Sequence, residues 1–138
     1  MADPALRVLD ANILLRYLLD DVPELTDRCE ALLLRVQRGE ETVWLPDIAL
    51  ADVIWTLRSF YKRSKAEIRD VLLPILSLRG IRLRDRAVIF HALALFAEKN
   101  IDFSDALIAA EMLARGYTEI YSYDRHFDRV VRIDRVEP

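Results

Sequence analysis

Four aspartates stand where a carboxylate would be held at a fixed place on a packed scaffold. Asp10 follows an apolar run at residues 6–9, and Asp52 lies in Ala49-Leu50-Ala51-Asp52-Val53-Ile54. Asp105 follows Asp102-Phe103-Ser104 at the head of Ala106-Leu107-Ile108-Ala109-Ala110, and Asp124 closes Glu119-Ile120-Tyr121-Ser122-Tyr123. Carboxylates gathered in one cleft repel and raise one another's pKa unless a cation sits among them. Magnesium takes one or two carboxylates directly and keeps several waters, so a loose acidic cluster suits it. One or two such ions can activate water and steady the leaving oxygen in phosphodiester hydrolysis. Each acid also has an ordinary reading. Asp10 could cap a first helix, Asp102 could cap a later one with Asp105 in its positive first turn, Asp124 could start a turn, and Asp52 could be a solvated helix residue.

Elements that would position these acids are legible from periodicity. Residues 6–9 read as a strand, and Asn12 opens a helix to about residue 19 with Ile13, Leu14, Tyr17 and Leu18 at helical spacing. Asp20-Asp21-Val22-Pro23 breaks it. A second helix is expected over 24–38, with Gly39 as its stop. Residues 42–45 read as the second strand. Asp47 is the expected cap of a helix to about residue 60, whose core stripe is Leu50, Val53, Ile54, Leu57 and Phe60 or Tyr61. Ser64 and Glu67 form a capping box for a helix over 64–76. Residues 81–83 read as a third strand, 85–99 as a helix, then the helix bearing Asp105, the strand to Tyr123 and a last strand-like run at 130–133. The order β-α-α-β-α-α-β-α-α-β-β, with short apolar strands, favours an α/β domain with a mainly parallel sheet flanked by helices. In such sheets ligands bind beyond the carboxyl ends of the strands, where Asp10 and Asp124 fall.

Composition narrows the alternatives. At 138 residues a single domain spanning 1–138 is expected, with 53% hydrophobic residues arguing against disorder. Only 3 glycines are present, too few for a phosphate-cradling loop. One cysteine, Cys29, excludes an internal disulfide or a cysteine zinc site, and its helical apolar stripe makes it a core thiol. The net charge of -3 gives no global attraction to nucleic acid, so binding to it would rest on local patches. Seventeen of the 20 basic residues are arginines, which suits phosphate contact but also follows genomic base composition. No apolar run approaches the ~18 residues of a membrane span, and the N-terminus has no signal-peptide pattern. A soluble cytoplasmic protein without membrane partners is the expectation.

At this point the sequence resembles a family. Val8-Leu9-Asp10-Ala11-Asn12-Ile13-Leu14, Leu45-Pro46-Asp47-Ile48-Ala49-Leu50-Ala51-Asp52-Val53-Ile54-Trp55-Thr56-Leu57, Asp102 to Ala110, and Tyr121-Ser122-Tyr123-Asp124-Arg125-His126-Phe127 look like the four motifs, in order, of the PIN-domain ribonucleases, most closely the VapC-like toxins of type II toxin–antitoxin pairs. The resemblance implies a PIN-like three-layer α/β/α fold and a Mg²⁺-dependent endoribonuclease, with Mn²⁺ as an alternative ion. It implies metal-binding acids at Asp10, Asp105 and Asp124, Asp52 as the second-motif catalytic acid, and Asn12 and Ser122 as residues that orient the first and fourth carboxylates. It further implies RNA as substrate, a homodimer, and a cognate antitoxin lying in a groove bordered by the first helices. One departure stands out: the second-motif acid is usually glutamate, and Asp52 is shorter by one methylene, about 1.5 Å of reach. Direct ligation by this residue would then become water-mediated.

Lesser candidates are Arg16 and Arg125, as phosphate contacts, and His126, as a substrate contact or a plain turn histidine. His91 reads as a surface or core-edge residue, and Trp44 and Trp55 as core. A phosphotransfer domain also carries an acid after its first strand. It usually needs a second acid two residues on and a late lysine, whereas here Asn12 stands at that position and no lysine follows Lys99. A PIN-like module that binds a partner with weakened catalysis is the remaining alternative, and Asp52 is the reason for it.

Overall fold

Short strands joined by helices pair in parallel, and those of this chain do so. They are not buried on both faces as expected: Arg7, Val8, Trp44 and Arg82 are exposed, and only Val43 and Ile81 are buried. The computed structural model describes residues 6–138. Its elements are β1 (Arg7–Val8), α1 (Ala11–Leu19), α2 (Pro23–Arg38), β2 (Val43–Trp44), α3 (Asp47–Ser59), α4 (Lys65–Leu76), β3 (Ile81–Arg82), α5 (Arg86–Glu98), α6 (Phe103–Ala114), β4 (Glu119–Tyr121), a 3-10 turn (Arg125–Arg129) and β5 (Asp134–Val136). This is the expected order of strands and helices, and the class is α/β with a short parallel sheet, as expected. Strands β1, β2 and β3 form a parallel sheet in that order, with Arg7 opposite Val43 and Val43 opposite Ile81. Bonds from Leu9 N–H to Trp44 C=O (2.8 Å) and from Leu45 N–H to Arg82 C=O (3.0 Å) carry the pairing one residue past the strands. Strands β4 and β5 form a separate parallel pair.

The chain divides into two compact units, one formed by residues up to Lys62 with Asp70–Arg84, the other by Arg63–Arg69 with Asp85–Pro138. In the first, α1 packs against both α2 and α3. Thr26 is buried, and its hydroxyl is satisfied by donating to the Arg16 carbonyl at 3.1 Å. Helix α2 ends at Gly39 in the left-handed region (φ 76°), as its position predicted. Leu50, Val53, Ile54 and Leu57 bury one face of α3, while Phe60 and Tyr61, expected to extend that stripe, are exposed because the helix stops at Ser59. Asp47 does not cap α3 either. Pro46 holds the cap position, and the Asp47 carboxylate is 2.9 Å from the Arg84 guanidinium.

In the second unit, α5 and α6 pack on one another. Ala92, Ala106, Ala109 and Ala110 are buried, and small side chains there let the two helices approach closely. Phe96 meets Phe103 edge-to-face at 6.2 Å. Asp85 caps α5 by accepting from the Val88 N–H (3.2 Å), and Ser64 caps α4 with its Oγ accepting from Glu67 N–H at 3.1 Å. The Ser64 hydroxyl donates to Glu67 Oε1 at 3.0 Å, a side-chain pair where the expected capping box would use the Ser64 N–H. The last strand is shifted from the expected residues 130–133 to Asp134–Val136. Val130 and Ile133 are buried anchors of a turn closed by Ile133 N–H to Val130 C=O, so their apolarity reflects core contact rather than strand pairing. Cys29 is buried as expected, whereas Trp44 and Trp55 are 40% and 59% exposed, against the expectation of core. No helix among the described residues is long and apolar enough to cross a membrane.

Candidate functional site

The second unit brings two of the four aspartates together. Helix α6 begins after Asp102, whose backbone is extended (ψ 149°) as an N-cap requires, but its side chain caps nothing. It lies instead 3.5 Å from Lys65 Nζ. Asp105 is therefore the one acid in the first turn, half-buried, and near the positive end of the helix.

Asp124 is set by its own turn. The Ser122 hydroxyl accepts from the Asp124 backbone N–H at 2.9 Å, and Asp124 Oδ1 accepts from the His126 backbone N–H at 2.9 Å. These two side-chain bonds pin the chain between β4 and the 3-10 turn, as serine and aspartate do at turns. The turn folds the His126 ring back, so that Nδ1 lies 3.3 Å from Asp124 Oδ1. That nitrogen is shut off from solvent and has no hydrogen-bond partner.

One ligand atom each from Asp105, Asp124 and His126 falls within 4.8 Å of the others. The electrostatics register this crowding. The Asp105 carboxyl is held above its ordinary value, first by burial, then by a side-chain hydrogen bond with Asp124, then by the negative charges of Asp124 and Asp102, with His126 opposing. The Asp124 carboxyl is held below its ordinary value, first by the His126 backbone N–H, with Asp105 and the charges of His126 and Arg129 adding to it. Two neighbouring acids with pKa values pushed apart share a proton, Asp105 donating and Asp124 accepting, when no cation is between them. The donor set fits a divalent cation, which would take the proton's place and relieve the repulsion that raises Asp105. His126 is the member that sequence reasoning left undecided. Its signal was the Asp-x-His spacing, which has meaning only once the turn folds the ring onto Asp124.

Asp10, Asn12, Arg16 and Asp52 lie in the first unit, whereas Arg125 lies in the second. Asp10 occupies the N-cap of α1 with extended backbone (ψ 156°), yet its side chain makes no cap bond, so the capping role is not taken up. Its carboxylate and that of Asp52, on α3, are both exposed, without a hydrogen bond or ion pair among the described residues. Asn12 is exposed on α1 and makes no hydrogen bond to Asp10 among the described residues. It lines a cleft of about 170 Å³ with Arg16, Asp21, Thr56 and Tyr61. The Arg16 guanidinium is held there by Asp21 at 3.0 Å. Arg125, by contrast, is exposed with no partner among the described residues.

The PIN domain model matches residues 7–133. A VapC ribonuclease of Aquifex aeolicus (strain VF5) is 22% identical over 125 residues, covering 91% of this chain and 92% of the relative.

Proposed function

This chain belongs to the PIN-domain family, and on that premise we propose that it is a divalent-metal-dependent endoribonuclease acting as the toxin of a toxin–antitoxin pair. The observation that carries the proposal is the cluster of Asp105, Asp124 and His126, with donor atoms within 4.8 Å and with Asp105 raised in pKa by burial and then by its neighbour Asp124. The match over residues 7–133 crosses both compact units, which supports reading residues 1–138 as one PIN-like domain.

Asp105 and Asp124 would hold the ion, with Asp10 as a further ligand and Asp52 as the fourth catalytic acid; the last two roles rest on the motif resemblance. When bound, Mg²⁺ or Mn²⁺ supplies charge stabilisation at the scissile phosphate and lowers the pKa of water. The chain's own contribution is positional. Ser122 and the His126 N–H fix Asp124, the start of α6 fixes Asp105, and Arg125, unpartnered among the described residues, offers a planar cation to a phosphate. Asn12 is assigned the same orienting role for Asp10. Arg16 could contact a phosphate only by sharing Asp21 or leaving it. Direct ligation by the His126 imidazole would favour Mn²⁺, whereas a water between ring and ion suits Mg²⁺.

An RNA substrate is suggested by the VapC ribonuclease relative, and a cognate antitoxin, a homodimer and a cytoplasmic location by the family resemblance. For the antitoxin, a cleft of about 250 Å³ beside the first helices combines apolar residues, among them Tyr17, Leu33, Leu34 and Ile75, with the polar Glu30 and Gln37, and is a mixed seat for a partner segment.

A second reading, a partner-binding PIN-like module with weak catalysis, is favoured by one feature, the short Asp52 in place of glutamate. Purified protein incubated with total RNA, with and without Mg²⁺ or Mn²⁺, beside Asp105→Asn, separates the two. Metal-dependent cleavage lost in the variant supports the nuclease. Cleavage that persists in chelator, or survives the substitution, sinks the metal-carboxylate mechanism. Metal binding without cleavage of any RNA favours the partner-binding module.

A further inference from the structure

Side chains on a two-stranded sheet alternate between a packed and a solvated face, and the solvated face is ordinarily polar. In β4 the packed positions are Ile120 and, just past the strand, Ser122, both half-buried. The opposite positions are Glu119, Tyr121 and Tyr123, and the two tyrosines are 76% and 71% exposed. Among the described residues neither ring stacks on another aromatic ring, and neither hydroxyl makes a hydrogen bond. The exposed Trp55 differs, since it packs edge-on against Phe60 at 5.7 Å. Two large rings are thus held in water with no partner of their own, on either side of Ser122 and immediately before Asp124.

We propose that Tyr121 and Tyr123 form a base-stacking platform that holds single-stranded RNA beside the Asp105–Asp124 pair. The proposal rests on the ribonuclease reading above. Spacing favours an unpaired strand. Two residues apart, the tyrosine Cα atoms are at most about 7 Å from each other, roughly twice the ~3.4 Å rise per nucleotide of a duplex strand. That separation accepts one base between the rings, or one splayed base on each, and matches no pair of adjacent bases inside a helix. Aromatic rings take any base by its π-face, and sequence-tolerant RNA binding commonly works this way.

Charge supports the same occupant. Arg125 follows directly with its guanidinium unpartnered among the described residues. Arg129 is held by the Asn100 carbonyl at 2.6 Å, an uncharged acceptor that leaves its positive charge in place. Its field is already felt at Asp124. Tyrosines for bases thus precede Asp124 in the chain, and arginines for phosphates follow it.

The test uses a fluorescently labelled single-stranded RNA dodecamer of mixed sequence and the same strand annealed to its complement. Binding is followed by anisotropy in an Asp105→Asn background to suppress cleavage, and KM and kcat are measured on the otherwise wild-type chain. Tyr121→Leu and Tyr123→Leu should each weaken single-strand binding about tenfold, raise KM with kcat little changed, and leave duplex binding as it was. Tyr→Phe at either position keeps the ring and should restore binding. Unchanged thermal melting checks that the exposed substitutions leave the fold alone. Leucine variants that bind and cleave like wild type, while wild type still cleaves, overturn the platform and spare the ribonuclease reading. Wild type that neither binds nor cleaves RNA overturns both. Single-strand binding that needs the tyrosines, in a protein that cleaves nothing, keeps the platform and refutes the nuclease. A change in oligomeric state on size exclusion with RNA binding unaltered identifies the rings as a protein contact and overturns the proposal.

Discussion

Gly80→Ala tests how tightly the sheet that leads into α3 is built. Gly80 is buried just before β3, its N–H donating to the Val36 carbonyl at 2.9 Å and its carbonyl accepting from the Val43 N–H at 2.8 Å. A methyl at this position would lie 2.1 Å from the Glu41 carbonyl oxygen, 2.9 Å from the Val36 carbonyl oxygen and 3.0 Å from Val36 Cγ1. The nearest two obstacles are backbone atoms, so no side-chain rotation relieves the clash, and the chain must move by about 1 Å to reach ordinary contact. Overpacking of that kind costs roughly 1–3 kcal/mol, and weakening the two backbone bonds adds about 1 kcal/mol each. The sum, about 3–5 kcal/mol, is a large part of the roughly 5–15 kcal/mol that holds a domain folded. Urea denaturation followed by far-UV circular dichroism should show a much lower midpoint with an unchanged slope. Thermal melting should fall by roughly 10–20 °C. A loss of less than about 1 kcal/mol would refute the reasoning, since it would mean that the segment at Glu41 and the Gly80 turn separate freely.

Other expectations concern the candidate site. Metal-free Asp105→Asn should gain stability relative to wild type as pH rises. The raised Asp105 carboxyl gives wild type a contribution that is complete below its unfolded value and lost as pH climbs through the folded one, and asparagine has none. Parallel melting curves across pH in chelator would exclude that coupling. The lowered Asp124 carboxyl runs the opposite way, so Asp124→Asn should lose a contribution present above the ordinary carboxylate value and lost as pH falls through the folded one, read from the same curves. At Mg²⁺ or Mn²⁺ about 100-fold above its Kd, wild type should be stabilised by about 2.7 kcal/mol, and Asp105→Asn should lose most of this; equal metal-induced shifts would show that the ion binds elsewhere. Asp52→Glu should restore the missing ~1.5 Å of reach and raise metal affinity or turnover, and no change in either would dismiss the short side chain as a weak point. Ser122→Ala removes the acceptor of the Asp124 N–H and should lower RNA cleavage several-fold with melting nearly unchanged; full activity would show that the turn holds Asp124 without it.

The sequence by itself determined the order of elements, because hydrophobic period and punctuation are local. Gly39 ended α2, Ser64 and Glu67 capped α4, and Asp85 began α5, each through bonds to residues at most four positions away. It also singled out Asp105 and Asp124, the pair that the second unit brings together, by the company they keep. What it misread depended on partners distant in the chain. Asp47 looked like a cap but is claimed by Arg84, 37 positions on. Val130 and Ile133 looked like a strand, yet pairing chose residues 134–136, since register is set by the β4 partner. Trp44 and Trp55 looked like core by type alone, and whether an indole is buried depends on which face of its element the rest of the fold covers. Within the second unit only tertiary structure could bring Asp105 and Asp124 together, 19 residues apart in the sequence, and fold the His126 ring against them. The pKa values that move apart there follow from distance and burial, which a sequence does not contain.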